Sequence, residues 1–78
     1  MFPRPDVSKA RKEQIVNAAT TIFAWQGFHA ARMEDIAREA GLSKGTIYLY
    51  FRSKDDVSAA ILDHFYHRGM QDLQMLQG

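Results

Sequence analysis

The 78-residue sequence contains no cysteine, which excludes a disulfide framework and a zinc site built from thiolates. It also contains no apolar run near the roughly 18 residues that cross a bilayer, and its first residues lack the apolar core of a signal peptide. A chain this short leaves no room for a multidomain enzyme. Since 46% of the residues are hydrophobic, we expect one small, soluble, cytoplasmic domain with a thin core.

Strand-like alternation is absent as well, and the spacing of apolar residues predicts an all-α fold. Residues 1–8 have no periodicity and are expected to form a mobile N-terminal arm. Helix one is predicted over about 9–26, with Ser8 as its N-cap and Gly27 as the C-terminal glycine of a Schellman motif.

Two short helices follow. Helix two is predicted over about 33–40 and ends at Gly41, and helix three begins after Ser43 and covers about 44–50. Ile47 would lie on the buried face of helix three. Two short helices joined by a tight glycine turn predict a helix-turn-helix.

Helix four is predicted over about 54–76, and Ser53 and Asp56 have the spacing of a capping box. Its inward face would comprise Val57, Ala60, Ile61, His64, Phe65 and Arg68. A second apolar stripe would comprise Leu62, Tyr66, Met70, Leu73 and Leu76 or Gln77. A lone four-helix domain could not fully cover this stripe, so the sequence indicates part of a longer protein.

The outward face of helix three is unusual for a helix that faces water. Gly45 costs about 1 kcal/mol relative to alanine, and Lys44 is a cation at the helix start, where the dipole favours an anion. Both features suit a helix that enters a groove lined by phosphates. Glycine allows close approach, lysine meets an anion, and Leu49 or Tyr48 can touch thymine methyl groups and sugars.

The charge distribution agrees with such a partner. Residues 1–54 hold nine Lys and Arg against five Asp and Glu (+4), whereas residues 55–78 hold one against four (−3). Lys54 is a second cation at a helix start, and with Thr46 and Tyr50 it could clamp one stretch of DNA backbone. The alternatives are a solvated surface charge for Lys54 and packing at the edge of the core for Tyr50.

At these positions the sequence resembles the signature of TetR/AcrR-type bacterial transcriptional regulators. The resemblance covers about residues 9–65 and rests on 41–51 (GLSKGTIYLYF), 53–56 (SKDD), 15–19 (IVNAA), Phe23, Gly27-Phe28 and 33–37 (MEDIA). It implies that Lys44, Gly45 and Tyr48 approach base edges in the major groove, where the exposed face of helix three also places Leu49. It implies phosphate contacts for Thr46, Tyr50 and Lys54 and for the start of helix two, and we expect Arg32 and Ser43 to contact phosphate as well. Arg32 departs from the family pattern, which usually has a Ser or Thr cap, so a capping bond should be lost there.

The resemblance implies a homeodomain-like three-helix bundle over residues 9–52. Residues 53–78 would start a connecting helix that leads to an absent C-terminal effector and dimerisation domain. The implied function is sequence-specific binding to a double-stranded DNA operator by a ligand-responsive, homodimeric repressor of the bacterial cytoplasm. The alternative is a helical protein-interaction module that docks a partner helix through Leu49, Tyr66 and Leu73.

The remaining candidate residues point to no other chemistry. His64 and His67 are three residues apart but lack an evident third metal ligand, so no metal site is predicted. Trp25 is expected to pack between helices. Ser, His and Asp occur outside any catalytic arrangement, so we expect neither an enzyme nor a cofactor.

Overall fold

A computed structural model describes the backbone of residues 7–77 and the side chains of residues 7–66. That part of the chain forms four α-helices, which are α1 (Val7–Gln26), α2 (Met33–Ala40), α3 (Lys44–Tyr50) and α4 (Lys54–Gln77). The predicted fold class is confirmed, and α2 and α3 have the predicted bounds. Helix α1 begins two residues earlier than predicted, so Ser8 lies inside its first turn and is not the N-cap. Residues 1–6 of the expected arm lie outside the described residues.

The core is built around one fully buried β-branched residue from each helix. Ile15, Ile36, Ile47 and Val57 have no exposed surface. Helix α1 packs against α2 and α4, and α2 packs against α3. The remaining members of the buried cluster are Val16, Ala18, Ala19, Met33, Ala37 and Phe51. Ile47 therefore faces inward as predicted and fixes the rotation of α3 about its own axis.

The turn between α2 and α3 is closed by a glycine in the left-handed region. Gly41 has φ +72°, a conformation that costs side-chain-bearing residues about 1–2 kcal/mol. Its N–H donates to the carbonyl of Arg38 at 3.2 Å, and the N–H of Leu42 donates to that of Ala37 at 2.9 Å. These two bonds define a Schellman motif. They fix the direction in which the chain leaves α2 for α3.

The loop between α1 and α2 starts at a second left-handed glycine. Gly27 has φ +83°, and its N–H donates to the carbonyl of Phe23 at 2.9 Å. This is the single bond of the αL motif and not the paired bonds of the predicted Schellman motif. The N–H of Ala31 donates back to the Gly27 carbonyl at 3.1 Å, and Ala31 is buried. The loop is therefore folded on itself before α2 begins.

A side chain of α1 holds the end of α2. Gln14 donates from Nε2 to the carbonyl of Ala40 at 2.6 Å, and its Oε1 accepts from Arg11 Nη1 at 3.2 Å. The last carbonyls of a helix lack partners within the helix, so this bond satisfies one of them.

Helix α4 starts at Lys54 as predicted, but its cap differs from a capping box. The N–H of Asp56 donates to Ser53 Oγ at 3.4 Å, whereas the Asp56 carboxylate accepts from the N–H of Arg52 at 2.9 Å. A capping box would use the N–H of Ser53. The Asp56 carboxylate thus closes the turn one residue earlier in the chain.

The outer side of α4 is apolar, as predicted for Leu62 and Tyr66. Both are exposed, and so is Phe65, for which the periodicity predicts burial. The predicted face members Arg68, Met70, Leu73, Leu76 and Gln77, and the histidine His67, lie outside the residues whose side chains the structure describes. Among the described helices, none is both long and apolar enough to cross a membrane.

Candidate nucleic-acid interface

Helix α3 begins with a firmly capped turn. Ser43 is the N-cap, and its Oγ accepts from the backbone N–H of Thr46 at 3.1 Å. The two hydroxyl oxygens lie 2.8 Å apart, so one hydroxyl donates to the other. Each hydroxyl carries one proton, which leaves one O–H of the pair for an outside acceptor. Ser43 and Thr46, two of the five residues predicted to contact phosphate, thus form one local unit.

The outer face of α3 carries the residues predicted to face the bases. Lys44 and Gly45 are exposed, Tyr48 is 46% exposed and Leu49 is 80% exposed. Among the described residues, none forms an ion pair with Lys44. The structure thus brings together a cation, an aromatic ring and an aliphatic side chain on a helix whose opposite face is locked into the core.

The start of α2 presents a second cation. Arg32 is the N-cap residue, and its side chain makes no capping hydrogen bond, because a guanidinium group has no acceptor. The predicted loss of that bond is confirmed. The Asp35 carboxylate partly compensates for the missing capping bond, because it accepts from the Arg32 N–H at 3.0 Å. The guanidinium is largely exposed and lies 3.5 Å from the Glu34 carboxylate, in an ion pair of the kind that contributes little.

The remaining two candidates are less exposed. Tyr50 is half-buried and packs against the core cluster. This agrees with the alternative prediction for Tyr50, which was packing at the edge of the core. Lys54 is also half-buried, and its Nζ donates to the carbonyls of Phe28 at 2.6 Å and His29 at 3.2 Å. The ammonium also lies 4.6 Å from the centre of the Phe28 ring. Lys54 is therefore not a solvated surface charge.

Comparison with known proteins identifies the family to which this helix-turn-helix domain belongs. A model of the family described as bacterial regulatory proteins, tetR family, matches residues 15–61, which is more than half of the chain. The chain belongs to the TetR family. As a family member, it carries the DNA-binding helix-turn-helix of a transcriptional regulator. This result excludes protein interaction as the main function of the domain.

Individual TetR-family relatives support the same conclusion. The fatty acid metabolism regulator protein of Bacillus subtilis is 35% identical over 65 residues, which cover 78% of this chain and 34% of the relative. The transcriptional activator FasR of Mycolicibacterium smegmatis is 42% identical over 52 residues, which cover 67% and 24%. The structure of the fatty acid degradation regulator FadR from Bacillus halodurans superposes with a TM-score of 0.83 at 31% identity, covering 96% of this chain and 38% of that one. The chain thus spans about a third or less of its curated relatives.

Two features of this TetR-family domain were missed or misjudged from the sequence. Trp25 is 85% exposed and borders a surface groove with Thr21, Ile22 and Glu39, so the expectation that it packs between helices is wrong. The contacts of the Lys54 ammonium join residues 25 and 26 positions apart, and no local pattern marks them.

Proposed function

We propose that α3 of this TetR-family domain lies in the major groove of an operator and reads bases through its outer face. The observation that supports this most directly is the exposure of Leu49 beside Tyr48 and Lys44 on a helix fixed by Ile47. Leu49 has an apolar surface that water does not favour, and the major groove offers the thymine methyl group as an apolar contact. Lys44 can donate to guanine O6 and N7 at the same edge.

Gly45 is proposed to allow this helix to approach the DNA closely. A methyl group placed on Gly45 would have only Ser43 Oγ within 4 Å, at 3.9 Å, so the space beside it opens outward. Any larger residue would fill the space between the helix and the groove.

The phosphate contacts are assigned to residues that flank this face. Arg32 offers an exposed planar guanidinium with five donors, which suits phosphate oxygens. Ser43 and Thr46 together retain one hydroxyl donor. Tyr50 is proposed to donate through its hydroxyl at the edge of the core. For Lys54, the phosphate contact stays a prediction, because two of its three N–H bonds already point at carbonyl oxygens.

For the whole protein we propose a homodimeric, effector-responsive repressor of the bacterial cytoplasm. The support is the length of the relatives, which leaves room for an effector and dimerisation domain that the chain does not cover. A dimer would place two α3 helices about 34 Å apart on a near-palindromic operator. The relative FasR is named as an activator, so the direction of regulation needs its own experiment.

Selection from a random duplex library tests the assignment of the base-reading face. Leu49→Ala should relax the preference at one base pair, and Leu62→Ala should leave the consensus unchanged, because Leu62 is equally an exposed leucine but lies on α4. Tyr48→Ala and Lys44→Ala should alter the consensus at other positions. An unchanged consensus for all three α3 variants would contradict the proposal.

The salt dependence of DNA binding by the same chain tests the proposed phosphate contacts. Its dissociation constant should rise steeply with salt, since binding to phosphates releases counterions. Affinity that hardly changes with salt would point to apolar docking instead.

A further inference from the structure

The ammonium group of Lys54 links the first turn of α4 to the loop that precedes α2. It lies 2.6 Å from the carbonyl oxygen of Phe28 and 3.2 Å from that of His29. Among the described residues, no backbone N–H donates to either carbonyl, so Lys54 supplies the hydrogen bonds that they otherwise lack. The stem of Lys54 brings the charge over the Phe28 ring, 4.6 Å from its centre.

The loop that Lys54 holds determines where α2 begins. Phe28 packs against Phe23 of α1, with the ring centres 5.2 Å apart. Three residues later Ala31 is buried, and Arg32 follows as the N-cap of α2. A shift of the Phe28 and His29 backbone would therefore move the entry into α2. Because the Schellman turn at Gly41 joins α2 to α3, the orientation of α3 depends on the same loop.

We propose that Lys54 is a positioning residue that fixes the start of α2 relative to α4 by holding the Phe28 and His29 carbonyls. Two of the three N–H bonds are used by carbonyls, and the side chain is half-buried. Its effect on DNA binding rests on the function proposed above, because it acts through the placement of α3. Its effect on the loop does not depend on DNA.

Three variants test the loop contact. Lys54→Met keeps an unbranched stem over the Phe28 ring but removes every donor, and Lys54→Arg restores donors. Lys44→Met is the matched control, since Lys44 is also the first residue of its helix but is exposed and has no described ion pair. In the free protein, nuclear magnetic resonance reports the ¹³C shifts of the Phe28 and His29 carbonyls and the exchange rate of the Ala31 amide.

We expect the Phe28 and His29 carbonyl shifts to change in Lys54→Met and to return toward wild type in Lys54→Arg. The Ala31 amide should exchange about tenfold faster in Lys54→Met, since a hydrogen bond from a charged group contributes on that order. The amide of Ala19, buried in α1, should exchange no faster once the change in global stability is subtracted. Lys44→Met should leave all three readouts unchanged.

The salt dependence of DNA binding completes the experiment. A phosphate ligand lost at Lys54 would lower the slope of log affinity against log salt by about one unit. Loss of the loop contact in Lys54→Met should weaken binding at every salt concentration, whether or not that fall accompanies it. Carbonyl shifts that do not move in Lys54→Met overturn the proposal, and so does an unchanged affinity for DNA. If Lys54→Met does not fold, the hydrogen bond is measured in the wild type instead. We expect a scalar coupling between Lys54 ¹⁵Nζ and the Phe28 carbonyl ¹³C, and its absence overturns the proposal. Wild-type protein that binds no DNA would refute the proposed function but leave the loop measurements intact.

Discussion

Replacing Gly45 by alanine should stabilise the domain and weaken its binding to DNA. Gly45 lies in the first turn of α3 with an ordinary negative φ, and a Cβ there would meet only Ser43 Oγ, at 3.9 Å. Nothing in the fold opposes the methyl group, so the variant should gain the usual advantage of alanine in a helix, about 0.5–1 kcal/mol. For a domain of this size that gain raises Tm by about 2–8 °C. The same methyl group would stand between α3 and the bases, and we expect at least a tenfold loss of affinity, about 1.4 kcal/mol.

Thermal unfolding followed by circular dichroism and titration of a fluorescently labelled operator duplex measure the two effects. Gly41→Ala is the matched control, because a Cβ at Gly41 also meets nothing within 4 Å but the φ of +72° is strained for alanine. That variant should lose about 1–2 kcal/mol of stability. Gly45→Ala with unchanged affinity would refute close approach at this position, and a lower Tm would refute the structural argument for open space.

Further predictions concern the N-cap Ser43 and the exposed cation Arg32. Ser43→Ala should lower the free energy of unfolding by about 1 kcal/mol, since the bond to the Thr46 N–H is lost, and thermal unfolding checks this. Ser43→Asp should keep the cap and most of the stability but bind DNA more weakly, because it places an anion beside phosphates. Equal affinity for Ser43→Asp and wild type would show that Ser43 lies away from the DNA backbone. Arg32→Ala should leave Tm nearly unchanged and lower the salt slope by about one unit, and an unaltered slope would remove Arg32 from the phosphate contacts.

The helix-turn-helix could be predicted closely because its signals are local. Ser43 and Gly41 mark the ends of helices through bonds to residues within five positions, and each was placed correctly. Ile47 was assigned to the buried face from periodicity alone, and the structure confirms it. In this segment the backbone conformation, the cap and the apolar face all require the same fold.

Contacts between distant segments could not be predicted in the same way. Periodicity indicates which face of α1 is apolar but not how far a neighbouring helix extends along it. Helix α2 has 8 residues and is about 12 Å long, whereas α1 has 20 residues and is about 30 Å long. Part of α1 therefore has no α2 residue opposite it, and Trp25 is exposed although it shares a groove with Glu39 of α2. The carbonyl partners of Lys54 were hidden for a similar reason, because irregular loop backbone leaves no periodic pattern in the sequence.

The exposure of Trp25 determines what an optical experiment on this protein can report. It is the single tryptophan of the sequence, and its indole is in water in the folded domain as it is in an unfolded chain. Emission from Trp25 should therefore change little on unfolding, and iodide should quench it in both states. A molecule or domain that covers the groove beside Thr21 and Ile22 should shift that emission to shorter wavelength and protect it from iodide. The indole is thus a built-in fluorescent reporter of whatever docks on this end of α1.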